Sequence, residues 1–440
     1  MGKDSSIVKP DVIVIGAGAA GLSAARVLSD GGCSVVIVEA RDRIGGRIHT
    51  LCDPKLKMPI ELGAEFVHGR PEVSWKMIGE AGLVAMDLPV DHKRFHRRRL
   101  VDCDVNAELN KVMGGLAHLG SRDKSFAQYL RDQRGGGAKA EARRFAVHFI
   151  EGFDAADPER ISVQSVAEEH QGIGDIEDET QYRLLDGYGS LVDHLRRSLN
   201  HDRVKIRLCC PISEIHWQKS KVELLSDRGP GPLRAPCALI TLPLGVMQLP
   251  PERPGAIRFS PEISKWRSDA QGLAFGSVVK AVLRFRTAFW EEKKELRNAA
   301  FLHHPAAAFP TWWTMRPLHF PILTAWAGGP KAVALARLTT RALMKAAVES
   351  LSPMVKISAR RLSEMIEQFY FYDWGSDPLA RGAYSYVAVG GMSARAKLAE
   401  PIDGTLFFAG EALDTSGQAS TVAGAMNSGQ RAARQILDRL

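Results

Sequence analysis

Cysteine is scarce, with six in 440 residues: Cys33, Cys52, Cys103, Cys209, Cys210 and Cys237. No two form a CxxC pair and none stands at metal-ligand spacing, which excludes a disulfide framework and a cysteine-built metal site. Long apolar runs are missing as well. The first residues have no apolar core of a signal peptide, and no run approaches the roughly 20 residues of a spanning helix. Ile436-Leu437-Asp438-Arg439-Leu440 follows directly on a helical pattern, leaving no room for a C-terminal anchor. The expectation is a cytoplasmic chain with no membrane segment and no metal. Met1-Gly2 with Ser6 fits a loose myristoylation pattern, one short enough to arise by chance. Internal repeats are absent and low-complexity sequence is slight.

Acidic residues are in the minority, 50 Asp and Glu against 58 Lys and Arg, for a net charge of +8. The basic residues are spread out except for His92-Lys93-Arg94-Phe95-His96-Arg97-Arg98-Arg99, which reads as a solvated face. No nucleic-acid partner is expected. Hydrophobic content of 45% and charged content of 25% are those of a globular protein. The length suggests roughly two to three domain-sized units.

What is present is concentrated near the start. Asp11-Val12-Ile13-Val14-Ile15 reads as a buried strand, followed by Gly16-Ala17-Gly18-Ala19-Ala20-Gly21 and a helix with Ala20, Ala24, Val27 and Leu28 on one face. Gly16 permits a tight turn, Gly18 lets the backbone approach a pyrophosphate, and Gly21 lets the helix pack closely. Val35-Val36-Ile37-Val38 then ends on Glu39, whose carboxylate can accept a ribose hydroxyl. This is a Rossmann-like dinucleotide site in an α/β fold, with helix amides and dipole facing the phosphates.

Residues 11–70 alternate strand, helix and strand, and about 72–180 turn helical and polar around the flexible Arg134-Gly135-Gly136-Gly137-Ala138. Strands are expected at Val204–Cys209, Ser213–Trp217, Val222–Leu225 and Ala238–Leu242, the last two joined through Asp227-Arg228-Gly229-Pro230-Gly231-Pro232 as in a β-meander. Longer strands and a helix at Arg341–Glu349 follow. At the end, Thr405-Leu406-Phe407-Phe408-Ala409-Gly410-Glu411 reads as a buried strand, and Val422, Met426, Gly429, Ala433 and Ile436 mark one face of a last helix.

Beyond the fingerprint stand Glu39-Ala40-Arg41-Asp42-Arg43-Ile44-Gly45-Gly46-Arg47 and Glu61-Leu62-Gly63-Ala64-Glu65-Phe66-Val67-His68-Gly69. Thr241-Leu242-Pro243-Leu244-Gly245, Gly276–Phe285, Trp374-Gly375-Ser376-Asp377-Pro378, Arg381-Gly382-Ala383-Tyr384-Ser385 and Phe408–Glu411 follow in order. Together they resemble the flavin-containing amine oxidases, which include monoamine oxidases, polyamine oxidases and lysine-specific histone demethylases. The resemblance implies an FAD-binding domain built from 1–70, 181–255 and 373–440, interleaved with an α+β substrate-binding domain from 71–180 and 256–372.

It also implies roles. Gly16 through Gly21, Glu39, Ala40, Arg41, Gly45, Gly46 and Arg47 would hold the adenosine and phosphates, with the backbone near Ile212 at the adenine. Gly63, Ala64, Glu65, Trp374, Gly410, Glu411, Thr421 and Val422 would surround the flavin end. The helix from Thr421-Val422 would aim its positive end at the ring, favouring hydride acceptance. Lys280 divides two arguments. Strand alternation places it with Arg284 on what reads as a solvated face, whereas the resemblance makes it the lysine that holds a water at flavin N5. Tyr384 would wall the reacting carbon, His68 would meet an amine or water, and Trp312-Trp313 would line the substrate pocket.

Ala383 stands where monoamine oxidases carry flavin on cysteine, so FAD is expected to be noncovalent. Thr421 stands where those enzymes have a second cage tyrosine, which brings the chain closer to the polyamine oxidases. No group of carboxylates marks a polyamine tunnel. The implied reaction is hydride transfer from the amine α-carbon to N5, imine hydrolysis, and reoxidation by O2 to hydrogen peroxide, in a monomer or homodimer. The alternatives are a flavin desaturase or oxidase acting on C–C bonds, an L-amino-acid oxidase using Arg316, a chromatin-associated protein and an NAD-dependent dehydrogenase.

Overall fold

The computed structural model describes residues 9–116, 122–133, 138–175, 180–227 and 231–440. The Met1-Gly2 pattern, the glycine run at 134–137 and the middle of the turn at 228–230 lie outside the described residues.

The molecule is organised around two large sheets. The first is parallel, in the order Val204–Arg207, Val35–Val38, Val12–Ile15, Cys237–Ile240, Leu406–Phe408. Its three inner strands are β-branched or apolar throughout and buried at every position, as a sheet covered on both faces requires. Helices Ala19–Asp30 and Val422–Leu437 cover one face, with Val12, Val14, Leu22, Met426 and Ala433 in one cluster. The odd residues Ile13 and Ile15 join Ile215, Leu224 and Phe259 on the other. There the meander Ile212–Gln218, Lys221–Ser226, Leu233–Ala235 forms a smaller sheet with Arg258–Ser260.

The second sheet has seven strands, in the order Ile366–Asp373, Val278–Phe285, Ile322–Gly328, Thr311–Thr314, Phe301–His303, His92–His96, Arg99–Asp102. One face packs on helices that include Thr340–Val355, through Leu283, Leu323, Ala347 and Leu351. The mixed α/β architecture is the expected one. Among the described residues no helix is long and apolar enough to cross a membrane.

Several local expectations change. The basic run 92–99 is a β-hairpin joined in parallel to Phe301–His303, with His92–His96 half-buried and Arg97, Arg98 and Arg99 exposed. It turns through Arg97 and Arg98, both at positive φ as a tight primed turn demands. Lys280 and Arg284 share a face, yet all eight residues of Val278–Phe285 are buried, because the strand lies inside the sheet and Arg284 pairs with Asp53 at 2.7 Å. The turn at 227–232 leads to Leu233–Ala235, and Cys237–Ile240 leaves for the parallel sheet. The helix foreseen at 341–349 runs from Thr340 to Val355.

Helices Ala19–Asp30 and Val422–Leu437 approach so closely that a Cβ at Gly429 would lie 2.2 Å from the Ala20 carbonyl oxygen. That contact is backbone, which no rotamer change relieves. Gly429→Ala is therefore expected to destabilise the protein by about 1–3 kcal/mol through overpacking. Urea denaturation measures it, and an unshifted midpoint would show that the two helices separate freely.

Candidate active site

A single cavity of about 2420 Å³ runs from the fingerprint glycines, past the ends of both sheets, to His303. Ligand pockets are commonly about 300–1,000 Å³, so this one has room for a large cofactor and a substrate chamber together.

At its first end the chain makes a cradle. Gly16 sits at φ +110°, where a Cβ would meet Thr241 Oγ1 at 2.6 Å, and a Cβ at Gly21 would lie 2.0 Å from the Gly16 oxygen. At Gly18 a Cβ would meet nothing within 4 Å. Helix Ala19–Asp30 starts at Gly18 without a side-chain cap, so its first amides are free for an anion. The Glu39 carboxylate is buried at the strand end, accepting from the Ala17 and Arg41 amides at 2.9 Å each. Gly45 and Gly46 have positive φ, and Gly45 bridges to Gly18. Open space above glycines, bare helix amides and a fixed acid at the strand end fit the pyrophosphate and ribose of a dinucleotide. Ala19, Ala20, Ala40 and Ile212 also line the cavity, whereas Gly21, inside the helix, packs against the Gly16 carbonyl and is off the lining.

The two arginines assigned to phosphates both have carboxylate partners. Arg41 donates to Asp377 at 2.8 Å. Arg47 donates to Glu411 at 2.8 Å and to the Ala383 carbonyl at 2.6 Å, tying the N-terminal loop to the last strand region. Arg43, unremarked in the sequence, donates to the carbonyls of Ile44, Gly46 and Ile48 and so shapes the double-glycine loop. Its donors match the carbonyls that positive-φ glycines turn aside, a contact that no spacing reveals.

At the other sheet the wall is ionic. Lys280 is 1% exposed and donates to Glu65 at 2.6 Å and to the Gly63 carbonyl at 3.2 Å. Glu65 also accepts from Arg183 at 2.8 Å and from Trp313 Nε1 at 3.0 Å. Burial acts to raise the Glu65 pKa, but Lys280 and Arg183 outweigh it and hold it below the usual carboxylate range. Trp374 donates to the Leu62 carbonyl at 2.8 Å, beside Gly63, whose Cβ would lie 1.9 Å from the Arg47 oxygen. An ammonium has three donors, so Lys280 keeps one beyond these two bonds, and its side chain lines the cavity.

Tyr384 donates to the Phe153 carbonyl at 2.7 Å, and burial pushes its phenol far above the ordinary range. Thr421 caps helix Val422–Leu437 through the Gly424 amide at 3.0 Å, and the N-terminus of that helix, with Gly410 and Glu411, faces the cavity. His68 is exposed to the cavity, and the protein around it lowers its pKa. Trp313 lines the chamber and Trp312 does not. The pairing of the two as pocket residues is corrected by strand alternation, which turns Trp312 into the core, where its indole donates to the Phe309 carbonyl. Arg316 also lies off the cavity lining, donating to the Arg297 carbonyl.

Carboxylates absent from the sequence pattern do gather here. Asp154, Glu168 and Glu169 line the cavity, and burial together with Glu169 raises the Asp154 pKa well above normal. They come from a loop and from helix Val163–Asp175, and only folding brings them together, with Asp154 near Tyr384.

Comparison with known proteins agrees with this geometry. The pattern describing the flavin containing amine oxidoreductases matches residues 19–437. Polyamine oxidase 2 of Arabidopsis thaliana is 28% identical, over 98% of this chain and 89% of its own length. Human lysine-specific histone demethylase 2 is 28% identical over 97% of this chain, which spans 53% of that protein. Among solved structures, wild-type putrescine oxidase bound to putrescine superposes with a TM-score of 0.81 at 21% identity, covering 98% of this chain and all of that one. Cyclohexylamine oxidase from Brevibacterium oxydans IH-35A gives the same TM-score and identity, covering 98% of this chain and 99% of its own.

Removing the Glu65 charge strands Lys280 and Arg183 as buried cations. Glu65→Gln is expected to lower stability at pH 7 by about 3–5 kcal/mol. Because the folded pKa of Glu65 is depressed, its contribution is full above the unfolded value of about 4.3 and fades as pH falls through the folded value. Urea midpoints of the two proteins should therefore converge in acid, and a gap that stays constant to pH 3 would contradict the ion-pair account.

Proposed function

The chain belongs to the flavin containing amine oxidoreductases, with FAD as cofactor, and from that premise we propose how its residues divide the work. The FAD-binding domain comprises 1–70, 181–255 and 373–440, and the substrate-binding domain 71–180 and 256–372. In support, every strand of the parallel sheet falls in the first set, and the seven-stranded sheet falls in the second except for Asp373. Gly16, Gly18, the amides of Ala19 and Ala20, Glu39, Ala40, Arg41, Gly45, Gly46 and Arg47 hold the adenosine and pyrophosphate. Ile212 lies at the adenine, and Gly63, Ala64, Glu65, Trp374, Gly410, Glu411, Thr421 and Val422 surround the ring end.

When bound, FAD accepts a hydride from the α-carbon of the amine and passes both electrons to O2, giving an imine that water hydrolyses and one H2O2. The observation that carries the reading is Lys280, a buried ammonium held from two sides with one donor left for a water in the cavity. Glu65 fixes its direction. Tyr384, neutral and anchored to the Phe153 carbonyl, forms one wall of the reacting site, and Trp374 forms another. His68 lines the cavity where it would meet the amine or a water. Thr421 fixes the start of a helix whose positive end faces developing negative charge. Ala383 offers no thiol, so FAD is retained without a covalent bond. The substrate is a small amine, and the protein acts in the cytoplasm as a monomer or homodimer.

The purified protein is expected to be yellow, to release FAD on acid denaturation, and to form peroxide with members of a panel of monoamines, polyamines, amino acids and methylated lysine peptides. A colourless protein that FAD does not reconstitute would overturn the assignment. Lys280→Met should slow reoxidation at least about tenfold, while anaerobic bleaching by the same amine changes far less. Equal loss in both halves would remove Lys280 from the oxygen side.

A further inference from the structure

Behind the Lys280–Glu65 pair stands a second buried acid that the reaction described above does not use. Glu61 is 8% exposed and ends the strand Pro59–Glu61, directly ahead of the loop whose Leu62 and Gly63 carbonyls accept from Trp374 and Lys280. Its two oxygens are placed by different elements. Oε1 accepts from the Tyr188 amide at 2.6 Å, and Oε2 lies 2.7 Å from Thr50 Oγ1 on the cross-strand neighbour. Thr50 Oγ1 in turn accepts from the Gly189 amide at 2.9 Å. Helix Tyr188–Arg197 has no side-chain cap of its own at Gly187, so Glu61 and Thr50 serve its first amides instead. Gly187 makes the approach possible: it sits at φ +76°, and a Cβ there would lie 2.7 Å from Glu61 Oε1.

The Thr50 hydroxyl lets this acid change charge without losing a hydrogen bond. With Glu61 ionised the hydroxyl donates to Oε2, and with Glu61 protonated Oε2 donates to the same oxygen, while the Tyr188 amide keeps its acceptor in both states. Burial raises the Glu61 pKa to about 7, against the hydrogen bonds of Thr50 and Tyr188 and the charge of Lys280, and the charge of Glu65 adds to the rise. The groups that face it are Lys280 from strand Val278–Phe285, Glu65 from its own loop, Arg183 from strand Gln181–Leu184 and Tyr188 from the helix. Glu61, Glu65 and Arg183 line one small internal space of about 10 Å³. Glu65 is held ionised by Lys280 and Arg183, and burial keeps the Tyr188 phenol neutral. Glu61 is left as the acid of the group that titrates near pH 7.

We propose that Glu61 is a positioning residue for the oxygen half of the reaction: through the Gly63 loop and through its charge, it sets the field in which Lys280 works. The proposal rests on the assignment of Lys280 to the oxygen side. With Glu61 protonated, Lys280, Arg183 and Glu65 sum to one positive charge. With Glu61 ionised, the four sum to zero. Electron transfer to O2 places negative charge beside Lys280, and a net positive surrounding stabilises it. Reoxidation is therefore faster with Glu61 neutral. The coupling is reciprocal: because the Lys280 charge lowers the Glu61 pKa, ionised Glu61 acts back on Lys280 by the same free energy.

The first test follows reoxidation alone. Holoenzyme is reduced under nitrogen with a stoichiometric amount of dithionite, so that no amine is needed, and mixed with oxygenated buffer at a series of pH values on both sides of neutrality. In the wild type the rate is expected to fall at least about threefold as pH rises through about 7. Glu61→Gln, which keeps an acceptor for the Tyr188 amide, should hold the faster rate across the range. Thr50→Val removes the hydroxyl that lowers the Glu61 pKa and should move the midpoint up by about one pH unit. A step of wild-type size in Glu61→Gln, or an unmoved midpoint in Thr50→Val, assigns the titration to another group and overturns the proposal.

The second readout needs no turnover. Because the folded pKa of Glu61 is raised, the wild type loses stability relative to Glu61→Gln as pH rises from the unfolded value of about 4.3 to the folded value of about 7, and the gap is constant above. Urea midpoints measure it. When Lys280→Met is compared with Lys280→Met/Glu61→Gln, the gap should go on widening to a higher pH, since the charge that lowers the Glu61 pKa is gone. A bend at the same pH with and without Lys280 would show the two charges to be independent and sink the proposal. Lys280→Met that reoxidises at the wild-type rate overturns both the assignment of Lys280 and this use of Glu61. Lys280→Met that is slow, with the pH step intact in Glu61→Gln, overturns the proposal alone.

Discussion

The Glu65 carboxylate is the constraint on which the site depends. It joins Lys280 of one strand, Arg183 of another and Trp313 of a third to the loop that carries Gly63. A lone buried carboxylate is unstable by several kcal/mol, and so is a lone buried ammonium. Each tolerates burial here only because the others are present. The loop entering from the N-terminal motif region and the seven-stranded sheet are thus held in one relation, since sliding either by a strand width would leave a charge unpaired. An apolar contact could supply comparable stability without fixing direction.

The same logic of paired charges closes the other side. Arg47 joins Glu411 and the Ala383 carbonyl, and Glu411 accepts from Ser385 at 2.8 Å, so residues more than 360 positions apart meet in one hydrogen-bonded group. Around these polar ties the two helices at the ends of the chain begin at the cavity, one uncapped at Gly18 and one capped at Thr421. A bare helix end invites an anion, whereas a capped one retains its dipole with its amides partly satisfied. That difference separates a place for phosphate from a place where charge only develops.

Periodicity and glycine spacing made the first sheet legible, because runs such as Val12–Ile15 and Val35–Val38 have one solution when covered on both faces. Gly16, Gly18 and Glu39 were legible for the same reason: each is demanded by a local turn or strand end. Lys280 was not, since alternation along one strand cannot say which face of the sheet meets water; that is decided by helices lying 60 residues further along. The hairpin at 92–99 hid behind its charge, although Phe95 at its centre packs on the core. The Asp154, Glu168 and Glu169 group and the contacts of His303 with His92 and His148 were invisible because their members come from separate parts of the chain that only folding brings together.

Two regimes of charge therefore meet in one cavity. Near Lys280 every ionised group is matched within hydrogen-bond distance, so the field there is fixed before anything binds, which is what a reacting site needs. Near His303 the side chains are imidazoles instead: it touches His92 and His148, and burial lowers the pKa of all three. The row Lys280, Trp326, Thr311, His303 connects the two ends at a spacing set by the sheet itself, as fixed as the strand separation.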